Sequence, residues 1–196
     1  MDSSSSPADA ERGLAPRVGV IGSARLGTES PEWVVGEELG RLLAAAGCTV
    51  VTGGYGGLMA AVSKGATGAG GHVIGLPMRS WPHLTPNQWN RELEWADGYP
   101  ARLGSLLGCK AVVALDGGIG TLSELAVAWA ASQTEPAPLR LVVIGEKWRR
   151  LLDAIRDCLV VDARDLALVQ VVDSPMAAVN EVLGGDHRPV SPRAVG

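Results

Sequence analysis

The chain has no phenylalanine, three cysteines, three histidines and three lysines, and no apolar run near the length of a membrane span. Each shortage excludes something. Cys48, Cys109 and Cys158 are an odd number, lie far apart and form no C-x-x-C pair. They predict buried free thiols in a reducing cytoplasm, with no disulfide framework and no zinc site. His72, His83 and His187 lack metal-ligand spacing, so no metal is expected; His72 opens a predicted strand and His187 lies in the tail. None of Lys64, Lys110 and Lys147 stands in a glycine turn, as a pyridoxal phosphate lysine would. The arginines are scattered, and the small cluster Lys147, Arg149, Arg150 reads as a solvated helix face, so no nucleic-acid surface is expected. The missing phenylalanine, set beside 6 Trp and much Ala, Gly and Arg, carries no functional information.

Familiar nucleotide signatures are missing too. Gly22-x-x-x-x-Gly27 has no following Lys-Ser/Thr, so it is no P-loop. No G-x-G-x-x-G follows the first predicted strand, and the second ends in Thr52-Gly53 instead of an acidic residue, which argues against a dinucleotide redox enzyme. There is no G-x-S-x-G nucleophile elbow. No cofactor is expected.

What is present is a globular composition: 196 residues, 46% hydrophobic, 19% charged, with 17 basic and 21 acidic side chains for a net charge of −4. The length fits one domain. Residues 1–16 are Ser-, Ala- and Asp-rich without an apolar core, so they read as a disordered lead and not as a secretory signal. Residues 185–196 read as a disordered tail, leaving 17–184 as the folded domain.

Strand and helix patterns alternate through that domain. Arg17–Gly22, Thr49–Thr52, His72–Leu76, Lys110–Leu115, Leu139–Ile144 and Leu168–Val172 predict strands. Helices are predicted from Pro31 (with Trp33, Val34, Leu39, Leu42 and Leu43 on one face), from Leu58 to about Ala69, and from Pro100 to Gly108. Three more follow over Thr121–Ser132, Glu146–Cys158 and Pro175–Leu183. Residues 77–98, with three prolines and three tryptophans, read as an irregular excursion. Near-continuous apolar strands alternating with helices predict an α/β, doubly wound, mostly parallel sheet covered on both faces. Three strand-to-helix turns are small or glycine-rich: Gly22-Ser23, Gly53 to Gly57, and Gly117 to Thr121. In such a sheet they share the carboxyl edge, where ligands bind.

The most informative of these turns is Asp116-Gly117-Gly118-Ile119-Gly120-Thr121-Leu122-Ser123-Glu124. Strand, glycine turn and helix in that order aim backbone N–H groups at one point before a helix N-terminus, which favours an anion. Thr121 is placed to cap the helix and offer a hydroxyl, and Glu124 lies one turn on, on the same face. Thr121-x-x-Glu124 is equally a capping box without chemistry, and the spacing leaves both readings open.

Gly117 to Glu124 resembles the P-G-G-x-G-T-x-x-E signature of the LOG ("lonely guy") proteins, cytokinin riboside monophosphate phosphoribohydrolases once misassigned as lysine decarboxylases. Gly53-Gly54-Tyr55-Gly56-Gly57-Leu58-Met59 is similar to that family's G-G-x-x-G-L-M turn, and Gly22-Ser23 to its first phosphate-side loop. Arg102 to Leu107 is similar to its arginine-bearing helix, one residue short. The likeness spans residues 17 to about 132. It implies hydrolysis of the N-glycosidic bond of a nucleoside 5′-monophosphate in a cytoplasmic homodimer. Gly118 to Thr121 and Ser23 would hold the phosphate, and Glu124 would stabilise the sugar cation, activate water or engage ribose hydroxyls. Arg102 would clamp the phosphate or orient Glu124. Met59 would line the base pocket, or simply pack in the core. The helices near Leu103–Leu107 and Leu125–Trp129 would pair across the dimer. Asp116 departs from the family's proline: a carboxylate beside the cradle opposes phosphate unless it turns outward, caps the turn or holds a cation. Relatives with looser signatures include molybdenum-cofactor carrier proteins, which bind a phosphorylated pterin without hydrolysis. A module whose glycine turns merely shape the fold is a third possibility.

Overall fold

The structure is a computed structural model, and it describes residues 15–134 and 139–184. The expected lead and tail fall almost wholly outside these limits. Pro16, assigned to the lead, already belongs to the fold: its carbonyl accepts from Thr49 N at 3.0 Å.

The elements run β1 (Arg17–Ile21), α1 (Pro31–Ala45), β2 (Thr49–Thr52), α2 (Leu58–Gly68), β3 (Val73–Gly75), β4 (Glu92–Leu93) and α3 (Tyr99–Leu107). Then come β5 (Ala111–Ala114), α4 (Ile119–Ser132), β6 (Arg140–Ile144), α5 (Glu146–Cys158), α6 (Ala163–Ala167), β7 (Val169–Val172) and α7 (Pro175–Leu183). The strands form one seven-stranded sheet in the order β4-β3-β2-β1-β5-β6-β7, and every pairing between neighbours is parallel. The predicted α/β doubly wound architecture is therefore present.

Alternation along the strands divides the core. Val18, Val20, Val50, Val113 and Val142 face one layer with Leu39 and Leu43 of α1, Leu58 and Val62 of α2, and Val179 of α7. Ile21, Val112, Ala114, Leu141 and Val143 face the other with Leu106 of α3, Leu125 of α4 and Trp148 of α5. Burial on both faces is why these strands read as continuous apolar runs. Gly19 lets α3 lie close on β1, since a Cβ there would come within 2.6 Å of Leu106 Cδ1.

Four expectations need correction. Val34 is 66% exposed, and the buried face of α1 is Trp33, Gly36, Leu39, Gly40, Leu42 and Leu43. Glycine replaces apolar side chains there because α1 and α2 approach backbone to backbone. Cys158 is exposed while Cys48 and Cys109 are buried, because α5 ends at Cys158 on the surface. The 77–98 stretch contains the edge strand β4 and a parallel bridge between Met78 and Ala96, and a short helix, α6, precedes β7. No described helix is long and apolar enough to cross a membrane.

Candidate functional site

The strand order reverses between β1 and β5, and in sheets of this kind the carboxyl edge at that point is the expected ligand crevice. Three of the loops there are stitched together. Ser23 N donates to Asp116 O at 2.9 Å, and Leu58 N donates to Ser23 O at 2.8 Å, joining the turns after β1, β5 and β2. Gly57, with φ +66°, is the N-cap of α2 and sits against Ser23 O and Ala24; any side chain there would collide with that backbone. Gly22 is a packing position, because a Cβ would lie 3.1 Å from Leu58 Cβ and 3.3 Å from Leu115 Cβ.

α4 begins earlier than its sequence pattern implies. Gly118 is the N-cap without any side-chain cap, and the helix starts at Ile119, so Thr121 is third in the helix and caps nothing. The capping box is excluded, since Glu124 turns elsewhere. The first N–H groups of α4 precede its internal ladder, whose first bond is Leu122 N to Gly118 O at 2.9 Å. By contrast, α1 and α7 have their N-termini capped by Ser30 and Ser174. Thr121 is buried and packs on Gly117, where a Cβ would overlap its hydroxyl. The glycines thus open the cradle and admit Thr121 beneath it.

Glu124, also buried, meets Arg102 from α3. Arg102 Nη2 and Nε donate to the same carboxylate oxygen, Oε1, at 3.0 and 3.3 Å, while Nη1 donates to Leu76 O at 3.1 Å and Gly53 O at 3.4 Å. Arg102 therefore holds Glu124 and ties together the ends of β2 and β3. Glu124 Oε2 has no hydrogen-bond partner among the described residues, yet it is not among their sealed unsatisfied atoms. One carboxylate oxygen is held, and the other keeps a small contact with solvent. Gly53 leaves room for this pair: a Cβ would overlap Arg102 Nη2 and lie 2.6 Å from Met59 Sδ. Met59 is buried beside them, at the junction of core and crevice.

Gly54 also anchors the 77–98 excursion. Its carbonyl accepts from Asn87 N (2.8 Å), Asn87 Nδ2 (3.1 Å) and Asn90 Nδ2 (2.9 Å), and Tyr55 Oη accepts from Met78 N at 2.8 Å. The excursion is strapped across the second glycine turn. Its Trp81 reaches Arg102, whose guanidinium carbon is 5.8 Å from the indole centroid.

Sequence reasoning missed three residues. Tyr99, three before Arg102 on α3, hydrogen-bonds Ser123 Oγ; because Ser123 Oγ donates to Gly120 O at 2.9 Å, the tyrosine is the donor. The i, i+3 spacing of Tyr99 and Arg102 was the available signal. Trp81 gave no periodic signal. Lys147 is exposed, as a solvated face requires, but its pairing went unread: it ion-pairs with Asp116 and reaches Glu32 at 3.4 Å. Asp116 is thus turned onto a cation, and its hydrogen bond holds the Lys147 ammonium above its ordinary range. No group of three or more His, Cys, Asp or Glu among the described residues is arranged to hold a metal ion.

The chain is 30% identical over 112 residues to an uncharacterised protein of Archaeoglobus fulgidus, covering 57% of this chain and 72% of that one. Among solved structures, it is similar to the molybdenum cofactor carrier protein of Chlamydomonas reinhardtii, at 26% identity and a TM-score of 0.68, covering 87% of this chain and 99% of that one. The molybdenum cofactor binding protein of Rippkaea orientalis, at 24% identity and a TM-score of 0.68 over 86% and 95% of the two chains, shares the fold. The SLOG cluster4 family model matches residues 15–135, which hold all three glycine turns, Arg102 and Glu124. The chain belongs to the SLOG cluster4 family, within the LOG-like Rossmann superfamily that also contains the molybdenum-cofactor carriers.

Proposed function

We propose that the crevice binds a nucleoside 5′-monophosphate and hydrolyses its N-glycosidic bond, giving free base and ribose 5-phosphate. The observation that carries this reading is the asymmetric Glu124 carboxylate, fixed through Oε1 by Arg102 and without a hydrogen bond at Oε2 among the described residues, in the second turn of a helix whose N-terminus has no side-chain cap. The phosphate sits on the N–H groups of Gly118 to Thr121 and on the Thr121 hydroxyl, where the helix dipole favours negative charge. The ribose then lies beside Glu124. As the C1′–N bond lengthens, the base takes the bonding pair and the sugar gains oxocarbenium character, which the carboxylate stabilises. Water adds at C1′, delivering its proton through Oε2, and the base leaves protonated. Burying a charged pair is costly, and the pair adds little to stability beyond well-packed apolar groups. A site that must hold a carboxylate in one orientation gives the pair a purpose.

A second reading is a carrier of a phosphorylated ring compound that performs no chemistry. It is favoured by the likeness to a molybdenum-cofactor carrier over nearly that protein's whole length and by the carboxylate of Asp116 where the hydrolases have proline. Chromatography decides between them. AMP and isopentenyladenosine monophosphate are incubated with wild type and Glu124→Gln, and free base is measured. The hydrolase reading expects base from wild type and a loss of about 100-fold or more in the variant, the scale of general acid–base catalysis. Nucleotide binding by wild type without base release selects the carrier. If no phosphorylated ligand raises the melting temperature, the crevice binds none, because a tight ligand must do so by linkage.

The working unit is proposed to be a homodimer in a cytoplasmic setting, as the family resemblance implies. Leu106, Leu125 and Ala128 of the two helices named for pairing go into the core. The surface of α4 left for a partner is therefore Ile119, Gly120, Ala126, Val127 and Ala130, and light scattering on the purified chain tests it.

A further inference from the structure

We propose that Trp81 is the stacking platform for the ligand's ring system, and that it makes the crevice select a bicyclic heterocycle over a single ring. This rests on the crevice taking a phosphorylated sugar–base compound, and it adds which part of that compound is read and by what.

Trp81 is half-buried, with the Arg102 guanidinium 5.8 Å from its centroid and the Tyr55 ring 6.0 Å away, tilted by 41°. Since Arg102 is also bonded to Glu124, a single guanidinium separates the indole from the site's carboxylate. Its backbone is fixed on both sides: Trp81 N donates to Met78 O at 3.1 Å, and Leu84 N donates to Trp81 O at 3.0 Å. Met78 N is in turn held by Tyr55 Oη, while Asn87 and Asn90 fasten the far end of the strap to the second glycine turn. An aromatic on a fixed backbone, with part of its surface in water and set against Arg102 and Glu124, is pre-organised for a planar partner. Covering Arg102 alone would need only an aliphatic side chain. An indole suits a π-system, and stacking of a base on an aromatic is worth roughly five- to 150-fold in affinity and needs no hydrogen-bond readout. Overlap grows with ring area, so a purine or pterin gains more than a pyrimidine.

The test uses ligands that cannot be cleaved: formycin 5′-monophosphate and pseudouridine 5′-monophosphate, C-linked isosteres of AMP and UMP, with ribose 5-phosphate as the ringless reference. Calorimetric titration of wild type, Trp81→Leu and Trp81→Phe gives nine affinities. Wild type should bind the formycin nucleotide about tenfold or more tighter than ribose 5-phosphate, with the pseudouridine nucleotide between. Trp81→Leu should erase that increment while leaving ribose 5-phosphate within about twofold, and Trp81→Phe should restore most of it. A proportional loss on all three ligands in Trp81→Leu would make Trp81 a mere support for Arg102 and overturn the proposal. So would ribose 5-phosphate binding as tightly as the formycin nucleotide to wild type; that result leaves the phosphate site standing. If wild type binds none of the three, the phosphate site itself falls and the platform with it. Melting curves of both variants keep a folding defect from passing as a binding effect, and the phenylalanine variant decides the matter if the leucine variant unfolds.

Discussion

Lys147, at the start of α5, is ion-paired with Asp116, the residue that enters the β5 glycine turn. The carboxylate that would oppose a phosphate is thereby given a cation, and the same ammonium reaches Glu32 in the first turn of α1. Three elements around the mouth of the crevice share one lysine. Lys147→Met leaves two carboxylates uncompensated next to the proposed phosphate site, and it should weaken binding of ribose 5-phosphate roughly two- to fivefold. The loss should shrink as salt rises. Adding Asp116→Asn to Lys147→Met should restore wild-type affinity. Titrations at two ionic strengths check this, and a double variant as weak as the single would show that Lys147 acts directly on the ligand.

The Arg102–Glu124 pair gives a sharper thermodynamic expectation. Both side chains are buried, so removing either leaves an unpaired charge. Arg102→Met and Glu124→Leu alone should each cost about 3–5 kcal/mol in urea unfolding. The double substitution should cost clearly less than the sum, because no lone charge remains. Additive losses would mean that the pair is not coupled. Arg102→Lys keeps the charge but loses the fork that holds Oε1, so base release should fall at least tenfold at saturating nucleotide, with a smaller change in KM.

The fold was legible because a buried parallel strand is a short apolar run and the glycine turns mark the strand ends. What escaped did so for local reasons. α6 has only five residues and is held by Asp162, whose side chain accepts from Arg164 N and Asp165 N, a device with no apolar period. β4 is two exposed residues at the sheet edge. Val34 was assigned inward because hydrophobic spacing does not register Gly36 and Gly40, which form the real contact face. The parts of the candidate site were legible as neighbours: Gly53 packs on Arg102, Arg102 bonds Glu124, and Gly117 packs on Thr121. The site's wiring was not, since Leu76 O, Trp81 and Tyr99 join it only through tertiary contact.

Thiol reactivity should separate the three cysteines. Burial pushes the Cys109 thiol up to about 11 and also raises Cys48, while Cys158 is exposed. The thiolate is the reactive form, so iodoacetamide at pH 8 should add one group to the native chain and three after denaturation, read by mass spectrometry. The sign for stability follows from proton binding. The folded Cys109 keeps its proton where the unfolded thiol has lost it, so its contribution is complete below about pH 9 and is lost as pH rises towards 11. Cys109→Ala should flatten that alkaline decline in unfolding free energy. A second native adduct would place Cys48 or Cys109 within reach of solvent.

The contact between α1 and α2 makes the last prediction, and it tests the packing that fixes the Gly57 end of the crevice. A Cβ on Gly40 would overlap the Val62 carbonyl oxygen, and one on Gly65 would overlap the Glu37 carbonyl oxygen. Both neighbours are backbone within a helix and cannot swing aside, so the helices must separate. Gly40→Ala and Gly65→Ala should each destabilise by about 1–3 kcal/mol, despite alanine's better helix propensity. Gly104 supplies the control: it is exposed within α3, and a Cβ there meets nothing within 4 Å. Gly104→Ala should stabilise by about 0.5–1 kcal/mol, because propensity acts there without a clash. Thermal and urea denaturation of the three variants measure this directly. Opposite signs for Gly40 and Gly104 would locate the cost in the helix contact, whereas a stabilised Gly40→Ala would mean that α1 and α2 lie farther apart in solution.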